Sequence, residues 1–242
     1  MNQSPALIVV VDITTILMTE SFKPHLRLWQ LISPSLPVGA YAYSGGLEAA
    51  VENGWITNEK QALDWIESLM QHGLTPLDVP VFKRLYECRR DHDGEKFHYW
   101  NQYLLASRES AELQQEDKHL GRALFRLLND LDVNILPFCS VDNDYAYVAM
   151  FACACVEWKI TIEEAVQGIL WSWCENQVAA AIKLVPLGQT VGQQCLSTLQ
   201  AKITDCAQQG LALSDDEIGF TLPGLGIISA QHEMQYSRLF RS

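Results

Sequence analysis

Cys153 and Cys155 are the residues of this 242-residue chain with the most direct claim to metal chemistry. With Cys139 or a histidine they would offer thiolate and imidazole donors, which suit zinc, copper or nickel. Their neighbours Phe151, Ala152, Ala154 and Val156 point instead to thiols packed in a core, where free cysteine is common. His232 beside Glu233 is polar, but one imidazole and one carboxylate do not close a metal shell; a capping or partner contact is the better reading. Trp171, Trp173 and Glu175 could line an enzyme pocket, which would require a carboxylate of raised pKa inside a formed cavity. No catalytic template stands behind them, since G-x-x-x-x-G-K-[ST], H-E-x-x-H, G-x-S-x-G and C-x-x-C are all missing. Gly39 to Ser44 imitates part of a phosphate loop without its second glycine or its lysine. The expectation is a chain with no catalytic residue, no metal site and no cofactor of its own.

Residue types suited to recognition gather in four runs. Leu31 to Glu48 reads L-I-S-P-S-L-P-V-G-A-Y-A-Y-S-G-G-L-E; its prolines disfavour helix, and its glycines permit turns that other residues avoid. Tyr41 and Tyr43 add rigid amphipathic surface. Arg108 to Arg122 reads R-E-S-A-E-L-Q-Q-E-D-K-H-L-G-R, with Arg108 and Glu112 four apart and able to pair on one helix face; the alternative is a solvated, salt-laced surface. Gly121 costs that helix about 1 kcal/mol relative to alanine, which calls for close approach by another backbone. In K-L-V-P-L-G-Q, Lys183 precedes a proline break, where a cation complements the helix dipole, and Gln189 closes the run. The final H-E-M-Q-Y-S-R-L-F-R-S sets Leu239 and Phe240 between Arg238 and Arg241, apolar groups of little use at a flexible terminus until something binds them.

Helices must position these runs. Asn58 with Gln61 predicts a helix carrying Leu63, Ile66, Leu69 and Met70 as far as Gly73. Pro76 is expected to open a second, with Val79, Phe82, Leu85 and Tyr86 on one face and Lys83, Glu87, Arg89 and Arg90 in water. A third is expected from about Glu95 to Ala106, and a fourth from about Ser107 to Leu131 with Leu113, Leu120, Leu124, Leu127 and Leu131 inward. Asp142 to Trp158 suits a helix buried on most of its circumference, with a central strand as the competing reading. Thr161 and Glu164 form a capping box that opens a long helix to Pro186. The last long helix begins near Thr190, carries Val191, Cys195, Leu199, Ile203 and Cys206, and ends at Gly210. Strand-like alternation is scarce, and no repeat or low-complexity linker divides the chain. The architecture expected is a single all-α bundle of mostly antiparallel helices.

A composition of 48% apolar and 19% charged residues supports a sizeable core in one domain. Twenty-nine acidic against 17 basic side chains give a net charge of -12, which repels nucleic acid and anionic lipid. Seven cysteines without framework spacing fit reduced thiols in cytoplasm. The apolar stretch from Ala6 is interrupted by Asp12 and has no basic flank, so residues 1–25 read as a variable or disordered extension rather than a secretory leader. No later run approaches the roughly 20 apolar residues that span a bilayer.

The four runs, in this order and spacing, resemble those of the UreF family of urease accessory proteins, over about Leu26 to Ser242. Gly45 departs from the glutamine common in that family. The resemblance implies an all-helical, non-catalytic homodimer that binds a UreD/UreH-type scaffold and then the GTPase UreG. That complex, supplied indirectly by UreE, loads nickel into apo-urease, so nickel and GTP are handled by the complex. It further implies that Tyr41, Tyr43 and Glu48 lie at a partner surface, and that Lys183 and Gln189 contact or control the GTPase. Arg108, Glu112, His232 and Glu233 join the candidate partner residues. In the tail from about 233 to 242, Tyr236, Ser237, Arg238, Leu239, Phe240 and Arg241 would order on the scaffold, Leu239 and Phe240 as anchors and the arginines forking onto carboxylates. The rival reading is a nickel carrier using Cys or His ligands.

Overall fold

The computed structural model describes residues 23–135, 139–140, 143–219 and 222–242, whose regular structure is helical with no strand among them. The helices are α1 (Pro24–Leu31), α2 (Leu47–Glu52), α3 (Glu59–Leu69), α4 (Val79–Arg90), α5 (Gly94–Ala106), α6 (Ala111–Asp130), α7 (Tyr147–Glu157), α8 (Ile162–Leu184), α9 (Gln189–Ala212) and α10 (Pro223–Glu233). The extension expected over residues 1–25 lies almost wholly outside the described residues.

At the centre stands α7. Val148 to Cys155 are all buried, so the segment is a helix and the strand alternative falls. A helix apolar all round must be enclosed, and α4 and α6 flank it while α8 and α9 pack on each other beside it. Cys153 and Cys155 are fully buried there, and Cys139 nearly so. A smaller apolar cluster of Leu47, Ile56, Ala180, Ala181, Ile228 and Phe240 joins α2, α8 and α10.

The helix starts follow their caps. Asn58 Oδ1 accepts from the Gln61 N–H at 3.0 Å, and Thr161 and Glu164 make both bonds of the capping box. Gly73 and Pro76, by contrast, do not separate two helices. The backbone passes from α3 to α4 through a π-helical stretch, Met70–Asp78. The wider turn absorbs the proline, and the carbonyls left over find other donors. Thr75 Oγ1 donates to the Met70 carbonyl at 2.8 Å; the Gly219 N–H donates at 3.1 Å to the Pro76 carbonyl, whose helical donor is missing at Pro80. Gly210 is likewise no cap. It lies inside α9, where a Cβ would come within 2.6 Å of the Thr75 carbonyl oxygen, so the glycine lets the π stretch press against α9. The end of α9 is met instead by Lys83 Nζ on the Leu211 carbonyl at 3.0 Å and Arg84 Nη2 on the Leu213 carbonyl at 2.7 Å.

Two face assignments are corrected. Arg89 is buried rather than wet, donating to the Asn134 carbonyl and to Glu157. On α6 the buried face runs through Asp117, Gly121, Leu124, Phe125 and Leu128, and Leu131 is exposed. The reason is the approach to α7, which crosses α6 there. Asn101 Nδ2 donates to the Asp144 carbonyl and Asn101 Oδ1 accepts the Ala146 N–H, both at 2.9 Å, while Asp117 Oδ1 accepts the Tyr147 N–H at 2.7 Å. A Cβ on Gly121 would overlap the Tyr145 carbonyl, which is the close approach its presence called for. Gly121→Ala is therefore expected to cost about 1–3 kcal/mol through forced overpacking. Thermal denaturation checks this; a loss under about 0.5 kcal/mol would mean that the crossing segment can retreat.

Candidate partner-binding site

The four recognition runs, far apart in sequence, meet at one place. The tail after α10 folds back on its own chain, and each run supplies part of its seat. Gly46 caps α2 and so points Glu48, in the first turn, inward; its carboxylate accepts the Leu239 N–H at 2.6 Å and the Phe240 N–H at 2.8 Å. Such charge-assisted bonds to successive amides read the backbone rather than the side chains. Ser44 donates from both its N–H and its hydroxyl to the Ser242 carbonyl, and the Arg241 N–H donates to the Ala42 carbonyl at 2.8 Å. Phe240 enters the smaller apolar cluster, with Lys183 Nζ 5.3 Å from its ring centre.

Carboxylates of α6 complete the seat. His232 is fully buried on α10, with Nδ1 2.9 Å from Glu112 and Nε2 3.3 Å from Glu48. Arg238 Nη1 donates to Glu112 at 3.0 Å. Ser242 Oγ donates to Glu116, whose carboxyl is raised to about 7 by burial, partly offset by that bond. Arg108 does not pair with Glu112. Its guanidinium lies between two buried aspartates, Nη2 2.7 Å from Asp78 and Nε 2.9 Å from Asp117. Burial raises the Asp78 pKa against the opposing pull of Arg108.

The expected residues thus divide. Tyr41 is 70% exposed, as a surface loop requires, whereas Tyr43 and Glu48 face inward. The Tyr43 hydroxyl lies 3.2 Å from His119 Nδ1, and its carbonyl accepts from Asn176 at 3.0 Å. His232, placed by the sequence near a partner or a cap, is interior. Phe240 is buried on its own chain, while Leu239 at 65% and Tyr236 at 106% face outward. Glu233, Ser237, Arg241 and Gln189 are exposed. Ser44, Glu116 and Ser242 carry the docking without having been marked in the sequence; the S-G-G-L-E run was the available signal for Ser44.

A cavity of about 440 Å³ lies beside this seat, lined by Leu36, Val38, Leu74, Val166, Ile169 and Trp173 among others, with Asp78, Arg108, Glu116 and Glu175 at polar points. Burial raises Glu175, the signature set for an enzyme pocket. Trp171, however, faces a separate groove with Leu28 and Trp29, and the aspartates of the cavity are held by Arg108. Hydrogen bonding to Cys139 and burial push the Cys153 thiol far up, and burial does the same to Cys155; both oppose the thiolate form that a soft metal requires. Among the described residues no group of three or more His, Cys, Asp or Glu could hold a metal ion, and no helix is long and apolar enough to cross a membrane.

Comparison with known proteins identifies the family. The family model for UreF matches residues 56–200. The urease accessory protein UreF of Alkalilimnicola ehrlichii is 51% identical over 218 residues, covering 89% of this chain and 95% of that protein. Those of Pseudoalteromonas translucida and Psychrobacter cryohalolentis are 46% and 45% identical over 220 residues, each covering 90% of this chain and 94% of the relative. With a family model over more than half its length and such relatives over nine-tenths of it, the chain belongs to the UreF family of urease accessory proteins.

Proposed function

We propose that this chain acts in urease maturation as a non-catalytic scaffold that joins a UreD/UreH-type protein to the GTPase UreG and modulates that GTPase. It binds no cofactor itself. Nickel, arriving indirectly from UreE, and GTP are handled by the assembled complex around apo-urease in the cytoplasm. The chain works by linkage, binding one conformation of the nucleotide-loaded GTPase more tightly than another. The observation that carries the reading is that the docked tail leaves Met234, Tyr236 and Leu239 exposed, with Ile227 on α10 and Tyr41 in the loop also exposed. Large apolar groups held outward on an ordered segment are the usual anchors of a protein interface. Exposed Leu26 and Trp29 on α1, beside the groove under Trp171, offer apolar surface for the second copy of a homodimer.

The test is co-purification with the cognate UreD/UreH-type protein and UreG. The double variant Tyr236→Ala, Leu239→Arg is expected to lose assembly by at least tenfold in affinity while melting like the parent, since both side chains are exposed. Assembly at parental affinity would remove the tail from the interface. Equal GTP hydrolysis with and without this chain in the assembled complex would end the regulatory part and leave a scaffold.

A further inference from the structure

The end of α8 forms part of the pocket that takes Phe240. Pro186 keeps Val185 in extended backbone, with φ -103° and ψ 132°, so the helix stops at Leu184. Val185 is buried there in the cluster that holds Ala180, Ala181 and Phe240, and Leu184 and Leu187 pack against its edge. Lys183 stands on the outer side of the same turn, exposed. Its ammonium lies 5.3 Å from the centre of the Phe240 ring, within the reach at which a cation is drawn to an aromatic face. Among the described residues no salt bridge of Lys183 competes with this contact. The ring itself is 5% exposed, whereas Leu239 and Arg241 on either side of it face water. Phe240 is thus the apolar side chain of the tail that the seat encloses, and Lys183 lies over it.

We propose that Lys183 is a positioning residue of the tail: with the apolar end of α8 it makes the pocket selective for an aromatic side chain at position 240, and so helps to keep residues 236–242 docked. The role concerns the chain alone and does not depend on the identity of its partners. Two other roles are open to a lysine here. In the last turn of α8 a cation complements the helix dipole, and the methylenes of its stem cover apolar surface of any kind. Neither depends on the electron density of the ring beneath. Attraction to the ring face does, because it arises from the negative potential above the π-system. It is therefore lost when that potential is withdrawn from a ring of the same shape. It survives when the ammonium is replaced by a guanidinium, which also binds aromatic faces.

The experiment is a double-mutant cycle on the full-length protein, read by hydrogen–deuterium exchange of the peptide spanning 236–242 at one pH. Its reporters are the amides of Leu239, Phe240 and Arg241, which are bonded in the seat. One arm is Lys183→Met, which keeps an apolar stem and removes the charge. The other replaces Phe240 by trifluorophenylalanine, which keeps the ring and weakens the potential on its face. Lys183→Met is expected to lower protection by about two- to fivefold with phenylalanine at 240, the range of a cation–ring contact at an exposed site, and to have little effect with the fluorinated ring. Lys183→Arg is expected to keep most of the parental protection. Equal losses with the two rings would overturn the proposal and leave the dipole or the stem as the whole role of Lys183. No loss in Lys183→Met, or a loss in Lys183→Arg as deep as in Lys183→Met, would overturn it too. A melting curve of each protein separates tail release from loss of the fold.

Discussion

Arg108→Met is expected to lower the unfolding free energy by about 3–5 kcal/mol, a fall in Tm on the order of 10 °C for a chain of this size. The guanidinium supplies donors to both carboxylates, and each of the three side chains is largely buried, at 14% exposure for Arg108 and 7% for each aspartate. Removing it leaves two like charges side by side out of water. Asp117 is in addition fixed by the Tyr147 N–H, so it cannot turn out to solvent without freeing the start of α7. Protonation of Asp78, whose carboxyl burial already raises, is the remaining relief, and the deficit should therefore deepen as pH rises above the ordinary aspartate range and ionisation is forced on the folded state. Adding Asp78→Asn and Asp117→Asn to the variant is expected to restore much of the loss, because the cost lies in the unpaired charges. Calorimetry decides the matter: a deficit below about 1 kcal/mol would mean that water reaches the aspartates.

That network also marks the boundary of what the residue order can reveal. Local chemistry was legible where a feature and its cause sit within one helical turn. Asn58 with Gln61, Thr161 with Glu164, the wholly apolar α7 and the small residue at Gly121 each led to the right element or the right kind of contact. Arg108 was assigned its neighbour four residues on, whereas its partners are nine and thirty residues away. Helical periodicity identifies a face and says nothing of what comes to cover it. Pro76 and Gly210 misled for the same reason. Each normally ends a helix, but here one is absorbed by a π turn that presses on the other, a contact between segments about 130 residues apart. The seat of the tail was read as separate partner surfaces because its halves, such as Ser44 and Ser242, are 198 residues apart. Burial of Glu48 and His232 follows only once those halves meet.

Glu48→Ala is expected to free the tail. Its carboxylate accepts two successive N–H groups, bonds worth about 1.5–3 kcal/mol each when the acceptor is charged, and it supplies one side of the His232 bridge. Without it the two amides and Nε2 of His232 lose their acceptor, with the Phe240 amide and Nε2 left buried, so the docked form loses by a factor of roughly 100 or more relative to the released one. Limited trypsin digestion reads this directly, since cleavage after Arg238 needs an extended, accessible segment; the expected result is a rate increase of similar order with the rest of the chain intact. Glu48→Gln should fall between, because the amide oxygen still accepts while its nitrogen cannot. The same variant shows which form the partners bind. If the complex reads the tail as docked here, Glu48→Ala loses assembly together with protection from trypsin. If the complex instead captures a released tail, the variant has already met the cost of opening and assembles more tightly than the parent. Cleavage at the parental rate would contradict both, and would mean that Ser44 and the Phe240 pocket hold the tail without the carboxylate.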